Sequence, residues 1–477
     1  MKLFRNQHAG MGQHFRPCAI PCLGQIGARL DGDMSVGVQA RVLIVARDDS
    51  TAGPLAEGLD RLGWRTVTAR SEAAAAAALS DLQIQAAIVD LAEMDEQAVV
   101  GLADRLRAAC APRRLPIMAM GALDPFQNDR GFDLTLTAPL HPAQAAMRLE
   151  SLVRTAVAEE EFEVRLETFS ERGHVLEAPE QDPTLFRVLA IGEPAPQFLA
   201  LSNALTRNGA EVVGAFTAFT AFDYLHERPF DAVVLWAGDN PHEALSIAAG
   251  LRRNTRLYHT PALLYMRNES AVTASEAYHR GISDVASPET PESETALRVV
   301  ELARAFRRQK AVRGALEQAR NSGLMDAATG LFTRDLFAAH VMRLARSSNE
   351  RNRPLSVCML KVSEKPDLKA PRAGGWVARA VPQIGSMIGR LVRVEDTAAR
   401  LAPEVFALAL PATPLHAARA AGERIAAVIG CTAFEAGQGA TPFVVEFDLG
   451  VAEVGSPDTV GYALEQAAAM AQARKAS

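Results

Sequence analysis

A short stretch of the sequence holds the residues that are best suited to bind a ligand. Arg393 and Asp396 stand three positions apart, and Arg424 follows on a helix predicted at residues 415–428. An arginine guanidinium is a planar fork of donors that pairs with a phosphate or with the O6 and N7 edge of guanine. A carboxylate such as Asp396 can accept from the N1 and N2 edge of guanine. Together with Arg390, these side chains could enclose a compact dianion.

The spacing alone is weak evidence for a ligand site. The same Arg-x-x-Asp pattern occurs at residues 130–133 and 228–231, where ordinary surface or turn chemistry explains it. The alternative for Arg393 and Asp396 is likewise an ion pair in a surface turn, which contributes little to stability. Their position favours ligand binding, because five residues after Asp396 comes the segment Ala-Pro-Glu-Val-Phe at 402–406, followed by an apolar run that ends at Pro411.

This arrangement resembles the central hairpin of the GGDEF domain, the fold of diguanylate cyclases. In that family an R-x-x-D inhibitory site for cyclic di-GMP precedes a signature that usually reads R-Y-G-G-D-E-F-x-x-x-x-P. The resemblance implies that Arg393, Asp396 and Arg424 bind cyclic di-GMP. Further segments resemble the D-x-L-T-G-L-x-N-R opening, the first core strand and a later strand of the family, at residues 326–334, 354–360 and 447–452.

The residues that a cyclase would need are changed. Condensing two GTP molecules requires Mg²⁺ ions held by carboxylates. The resemblance places the family's metal-binding Asp at Lys361, which puts a cation where an anion is needed. The paired glycines become Ala402 and Pro403, which add a Cβ and remove an N–H. The acidic pair becomes Glu404 and Val405, so one carboxylate is lost.

We therefore expect a GGDEF domain without catalytic residues and without a bound metal, which is not an enzyme. Two alternatives remain open at this point. One is a residual weak cyclase or GTP-binding regulator, although Lys361 argues against it. The other is a scaffold that binds no ligand, for which Arg393 and Asp396 would be incidental.

A unit of alternating strands and helices begins after residue 38. It resembles a response-regulator receiver domain, in which Asp90, at the carboxyl end of a strand, takes the phosphoacceptor position. Ala46 and Arg47 stand where that family has an acidic pair, and Gly121 stands at its switch Ser/Thr position. Asp90 is thus a possible phosphoacceptor, but we favour a structural carboxylate. The predicted strands are residues 41–45, 65–68, 86–90 and 115–120.

A second unit repeats this pattern. Trp236 stands at its phosphoacceptor position, and an indole cannot be phosphorylated, so we expect a receiver fold used as a structural adaptor. Between the units, alternating Phe162, Val164 and Leu166 suggest a short hairpin. Residues 293–318 predict a helix that is either a packed connector or a solvated spacer. The strands predicted in the second unit are residues 186–191, 230–235 and 261–265.

The expected fold class is α/β, with two receiver-like (flavodoxin-like) doubly wound domains followed by a GGDEF (nucleotidyl-cyclase-like α/β) domain. An N-terminal extension, disordered or produced by a misassigned start codon, precedes them. The expected boundaries are 1–37 for the extension, 38–155 and 186–310 for the receiver-like domains, 156–185 for a linker, 311–325 for a connector helix and 326–477 for the degenerate GGDEF domain.

Composition limits the classes of partner. A length of 477 residues suggests about three domains. The formal net charge of −6 argues against nucleic acid as the main partner. No apolar run reaches the ~18 residues of a membrane span, so no membrane insertion is expected. The five cysteines are scattered without metal-ligand spacing, which fits a reducing cytoplasm.

The whole layout resembles that of PopA-like cyclic di-GMP effectors, and it is shared with the cyclase PleD. The resemblance implies a cytoplasmic adaptor, placed at a cell pole and acting as a homodimer. On binding cyclic di-GMP it would recruit an accessory adaptor (RcdA) and deliver a cell-cycle regulator (CtrA) to the ClpXP protease. Of these expectations, only the nucleotide site rests on individual residues of the sequence, and the protein partners rest on the resemblance alone.

Overall fold

The computed structural model describes residues 40–92, 94–121, 131–180, 182–238, 241–254, 256–266, 272–319, 322–437 and 440–473. The extension expected at residues 1–37 lies outside these ranges. Within them, no helix combines the length and the apolar character that crossing a membrane would require.

The first unit alternates strands and helices. Its elements are β1 (Arg41–Val45), α1 (Asp49–Arg61), β2 (Arg65–Ala69), α2 (Glu72–Asp81), β3 (Ala86–Asp90), α3 (Glu96–Val99), α4 (Leu102–Cys110), β4 (Ile117–Met120), β5 (Leu134–Leu136) and α5 (Pro142–Ser170). The strands pair in parallel in the order β2–β1–β3–β4–β5. This is the flavodoxin-like order of doubly wound folds. Helices cover both faces of such a sheet, which explains why every residue of β3 is buried.

The second unit repeats this topology. Its elements are β6 (Phe186–Ile191), α6 (Pro196–Arg207), β7 (Ala210–Ala215), α7 (Ala218–Glu227), β8 (Ala232–Ala237), α8 (Pro241–Arg253), β9 (Ala262–Met266), α9 (Ala274–His279), β10 (Asp284–Ala286) and α10 (Glu292–Gln318). The parallel strand order β7–β6–β8–β9–β10 corresponds strand for strand to that of the first unit. The doubly wound architecture expected for both units is therefore present.

The third unit is built on an antiparallel sheet. Its elements are α11 (Arg334–Glu350), β11 (Leu355–Val362), α12 (Lys369–Ala373), α13 (Trp376–Leu391), β12 (Thr397–Ala402), β13 (Val405–Pro411), α14 (Leu415–Gly430), β14 (Phe447–Glu453) and α15 (Val460–Ala473). The strand order is β12–β13–β11–β14. Side chains alternate along β11: Val357 and Met359 join a core with α11 and α15, whereas Cys358 and Leu360 join one with α13 and α14.

The helix α5 continues unbroken from the first unit to the third. The hairpin expected from Phe162, Val164 and Leu166 is wrong, because these residues are helical. The apolar residues alternate over this short stretch, but over the whole segment they follow the spacing of a helix. Phe162 and Phe169 are two turns apart, and both are buried in a core of the third unit.

The helix α10 was expected at residues 293–318, and this prediction is confirmed. It is not a solvated spacer, because Val312, Ala315 and Leu316 near its end pack into the same core as Phe162. The ends of α5 and α10 thus pack with one face of the third sheet. The boundaries expected at residues 155 and 310 fall inside these two helices.

Candidate functional site

The turn between α13 and β12 brings Arg393 and Asp396 together. The Oδ2 atom of Asp396 accepts a hydrogen bond from the backbone N–H of Arg393 at 2.9 Å. The backbone N–H of Asp396 donates in return to the carbonyl of Arg393 at 3.2 Å. Aspartate commonly closes turns in this way. The turn is therefore fixed by its own backbone, and the Arg393 side chain is not needed to close it.

The carboxyl group of Asp396 is buried and incompletely bonded. Its Oδ1 atom is sealed from solvent and has no hydrogen-bond partner among the described residues. Burial raises the pKa of Asp396 to about 7, and the negative charge of Glu395 adds to this shift. The backbone N–H and the positive charge of Arg393 oppose it. A buried acceptor without a donor is costly in a folded protein, so an N–H group brought by a ligand would stabilise it.

Three arginines, one in this turn and two on the helices α13 and α14, have unengaged guanidinium groups. Arg390 lies in the last turn of α13, Arg393 lies in the turn itself, and Arg424 lies on α14, which contacts α13. All three are exposed. No hydrogen bond or ion pair to another described residue engages their guanidinium groups. The structure therefore leaves the predicted ligand-binding arginines available to an anion.

A narrow pocket lies beside Asp396 and Thr397. Its wall includes Arg165 from α5, Leu316 from α10 and Phe332. The sequence analysis missed these neighbours, since Arg165 and Thr397 are 232 positions apart and no local pattern links them. The candidate ligand site therefore borders the ends of both long helices.

Ion pairs occupy the positions at which the sequence analysis expected the residues of a cyclase. Arg372 on α12 donates to both carboxylate oxygens of Glu404, from Nη2 to Oε2 at 2.7 Å and from Nε to Oε1 at 3.2 Å. It also donates to the carbonyl of Ser363 at 3.2 Å. The Nζ atom of Lys361 lies 3.2 Å from Oε1 of Glu364. The sequence analysis did not anticipate Arg372, which neutralises the carboxylate that remains in the hairpin.

The hairpin itself is unsuited to approach a nucleotide phosphate. Pro403 has no N–H to donate, and the pairing of β12 with β13 shifts register between Arg400 and Ala402. Within the described residues, no group of three or more His, Cys, Asp or Glu side chains is placed to hold a metal ion. The residues that are present therefore do not fit the Mg²⁺ ions that cyclase chemistry requires.

Asp90 lies at the end of β3, as predicted, and is only 4% exposed. Its Oδ2 accepts from the hydroxyl of Thr51 at 3.1 Å, and its Oδ1 accepts from the backbone N–H of Ala92 at 2.9 Å. Nearby Asp48 caps α1 by accepting from the backbone N–H of Ser50, and Asp49 forms an ion pair with Arg70. Both oxygens of Asp90 are thus engaged, which favours the structural alternative.

Trp236 takes the equivalent position in the second unit and is buried. Its ring stacks on Tyr265 with centroids 5.0 Å apart and meets Phe198 edge-on at 6.3 Å. Phe216 lies beside Phe198 but is 57% exposed, and Phe219 is 78% exposed. Aromatic packing therefore fills the end of β8, and Phe216 and Phe219 of the same unit are exposed.

Comparison with known proteins places the third unit. The profile described as "Diguanylate cyclase, GGDEF domain" matches residues 323–477. The GGDEF domain of FimX from Pseudomonas aeruginosa is 21% identical over 32% of this chain and 96% of that chain, with a TM-score of 0.29. The GGDEF domain of DgcB from Caulobacter crescentus, solved in complex with c-di-GMP, is 20% identical over 32% of this chain and 88% of that chain, with a TM-score of 0.29.

A response regulator from Thermotoga maritima is 20% identical over 25% of this chain and 98% of that chain, with a TM-score of 0.22. No curated protein matches the chain. The family match does not extend to residues 40–319, so their resemblance to receiver domains stays a prediction. By this match, residues 323–477 are a GGDEF domain.

Proposed function

We propose that this chain is a cyclic di-GMP receptor that has lost cyclase activity and acts as a signalling adaptor. The observation that carries the proposal is the buried, unpartnered Oδ1 of Asp396 in the turn that also holds Arg393, together with the unengaged guanidinium groups of Arg393, of Arg390 on α13 and of Arg424 on α14. An acceptor and a cationic donor in one turn, with further arginines on the contacting helices α13 and α14, match a ligand that combines guanine N–H groups with two phosphates. The family match of residues 323–477 supports the same ligand class.

In this proposal each side chain has a distinct role. The guanidinium groups of Arg393 and Arg424 grip the phosphates or the O6 and N7 edge of guanine, with Arg390 as a further contact. Asp396 accepts from the N1 and N2 edge. The hydrogen bonds within the turn fix its shape before the ligand arrives, so the turn shifts toward the ligand as one unit and loses little conformational entropy.

We infer the loss of catalysis from the residues at the positions that a cyclase would use. Lys361 repels Mg²⁺, and Arg372 already neutralises Glu404. Ala402 and Pro403 replace the glycines that would let the backbone approach a phosphate. Because the described residues offer no cluster to hold a metal and Pro403 stiffens the hairpin, the domain binds the product of the reaction at the Arg393–Asp396 turn instead of making it.

The adaptor role assigns the first two units to protein contacts. Asp90 is held by hydrogen bonds, and Trp236 cannot take phosphate, so these receiver-like units serve as surfaces. The exposed Phe216 and Phe219 provide apolar area of the kind that protein partners cover. The chain would recruit an accessory adaptor and present a cell-cycle regulator to a protease at a cell pole, acting as a homodimer.

Calorimetric titration of cyclic di-GMP into the full chain, beside an assay for GTP turnover with Mg²⁺, tests this function. The proposal expects binding at micromolar or tighter concentration and no turnover. Turnover of GTP would support the residual cyclase instead. Absence of both activities would leave a scaffold that binds no ligand.

A further inference from the structure

The carboxylate of Glu161 on α5 is fully buried between two units of the chain. Its Oε1 accepts from Nη2 of Arg165 at 2.8 Å and from Nε2 of His340 at 2.9 Å. The hydroxyl of Thr397 donates to the same oxygen at 3.3 Å. Arg165 belongs to α5, His340 to α11 and Thr397 to the start of β12. One oxygen atom thus joins the helix of the first unit to two elements of the GGDEF domain.

The hydrogen-bond pattern makes this a charged cluster. Thr168 donates its hydroxyl proton to the carbonyl of Val164 at 2.8 Å, so its oxygen accepts from Nδ1 of His340 at 3.0 Å. Both ring nitrogens of His340 are thus held by buried hydrogen-bond partners. Burial works to raise the pKa of Glu161, but the charges of His340 and Arg165 outweigh it and hold the pKa below its usual range. Oε2 of Glu161 is buried without a partner.

Arg165 extends the cluster to α10. Its Nη1 donates to the carbonyl of Leu316 at 3.1 Å, and its Nη2 donates to the hydroxyl of Thr397 at 3.2 Å. The guanidinium carbon lies 5.6 Å from the ring centroid of Phe332. The planar fork of arginine can reach these groups at the same time, which a lysine ammonium cannot do. Arg165 is thereby bonded to the end of α10 and to the strand that begins at Thr397.

This cluster and the candidate ligand site are neighbours in the chain. Thr397 directly follows Asp396, and both line the pocket that Arg165 also lines. A shift of Asp396 toward a ligand therefore moves the hydroxyl on which Arg165 and Glu161 depend. Buried ion pairs respond sharply to such a shift, because a displaced partner leaves an uncompensated charge in the interior.

We propose that Glu161, Arg165 and Thr397 are positioning residues that couple occupancy of the Arg393–Asp396 turn to the packing of α5 against the GGDEF domain. The inference rests on the proposed cyclic di-GMP binding. The coupling is reciprocal: α5 sets the affinity of the turn, and the ligand sets the packing of α5. A binding event on the GGDEF domain is thus conveyed to the units that would meet a protein partner.

Hydrogen exchange of the full chain with and without cyclic di-GMP tests the coupling. In the wild type, the ligand should slow exchange of amides in residues 156–170 by about fivefold or more. Thr397→Val keeps the volume but removes the linking hydroxyl, so it should still bind the ligand, more weakly, without protecting α5. Thr397→Ser should restore the protection. Thr413→Val, which removes another buried hydroxyl of this domain, is the matched control and should behave as the wild type.

Protection of α5 that persists in Thr397→Val would overturn the coupling, as would binding to the wild type without any protection. If the wild type binds no ligand, the proposed function itself fails, and the calorimetric titration of the same samples separates that result from a failed coupling. Should Thr397→Val not fold, Arg165→Lys replaces it. This variant keeps the charge and loses the fork, and the same loss of protection is expected.

Discussion

The Oδ2 atom of Asp396 lies 2.9 Å from the backbone nitrogen of Arg393, whereas its Oδ1 is buried and has no partner among the described residues. Oδ2 therefore maintains the turn, whereas Oδ1 still lacks a hydrogen-bond donor. Because a ligand that donates to Oδ1 need not break the bond to Oδ2, the turn can shift toward the ligand as one unit and bind without refolding. This division of roles is the basis for the predictions on ligand binding.

Ligand affinity should rise with pH around neutrality. Burial, and then the charge of Glu395, raise the pKa of Asp396 to about 7. The ionised carboxylate accepts from guanine N–H groups better than the protonated form, so protonation competes with binding. Affinity for cyclic di-GMP should fall by up to about tenfold per pH unit below pH 7 and level off above pH 8. Calorimetric titrations at pH 6, 7 and 8 measure this, and a flat profile would contradict it.

The same pKa predicts a pH dependence of stability. A carboxyl group whose pKa is raised on folding contributes stability below its unfolded pKa, and this contribution is lost as the pH rises through the folded value. Between pH 4 and about pH 7, the wild type should therefore lose stability relative to Asp396→Asn, which cannot ionise. Denaturant unfolding of both proteins across this range provides the test. A constant difference in the free energy of unfolding would mean that Asp396 titrates normally.

Restoring one metal ligand should not restore a cyclase. In Lys361→Asp the new carboxylate would still face a Glu404 that Arg372 neutralises. We expect no release of diphosphate from GTP, and no Mg²⁺ binding by calorimetry. Adding Arg372→Ala frees Glu404, so measurable Mg²⁺ binding is expected only in the double variant. Turnover by the wild type or by Lys361→Asp alone would show that the active site is not lost.

Asp90 should resist phosphorylation. Its two oxygens are engaged by Thr51 and by the backbone N–H of Ala92, and Ala46 and Arg47 stand where the resemblance to receiver domains would place a metal-binding acidic pair. Incubation with acetyl phosphate and Mg²⁺, followed by intact mass spectrometry, should therefore show no added phosphoryl group. A phosphoryl adduct on the wild type that is absent from Asp90→Asn would instead identify a working phosphoacceptor.

Replacing either of two glycines that are close in sequence by alanine should change the stability in opposite directions. A Cβ added at Gly450 on β14 would lie 1.8 Å from the carbonyl oxygen of Ala467 on α15, whereas one at Gly461 would meet nothing within 4 Å. Gly450→Ala should lower the free energy of unfolding by about 1–3 kcal/mol. Gly461→Ala, the matched control in a helix, should be neutral or raise it by about 0.5–1 kcal/mol. Denaturant titrations measure the free energy of unfolding of both variants. Equal changes in the two variants would contradict the packing of α15 on the sheet.

The local features of the fold could be predicted from the sequence. Continuous apolar runs such as residues 86–90 identified buried parallel strands, and the offset between Asp396 and the hairpin located the turn. Such features depend on residues that are near one another in the chain. The helix α5 was misread because Phe162, Val164 and Leu166 alternate by chance within a helix that is buried on several sides.

The partners of the site could not be read from the sequence. Glu161 and Thr397 meet although they are 236 positions apart, and Arg372 meets Glu404 across 32 positions. An arginine or a glutamate in a polar stretch looks like a solvated surface residue until folding brings an opposite charge to it. The charged cluster under the ligand site is therefore a result of tertiary structure, and only its members' residue types were visible beforehand.

Cyclic di-GMP binding to the wild type and to Arg393→Ala is the most direct test of the proposed receptor. Charge-assisted hydrogen bonds of this kind contribute about 1.5–3 kcal/mol, so the variant should bind roughly tenfold to a hundredfold more weakly. Arg379→Ala, which removes another exposed arginine from α13, is the control and should bind as the wild type does. Micromolar or tighter binding that Arg393→Ala weakens and Arg379→Ala preserves is the predicted result. Equal binding by all three proteins, or binding by none, would contradict it.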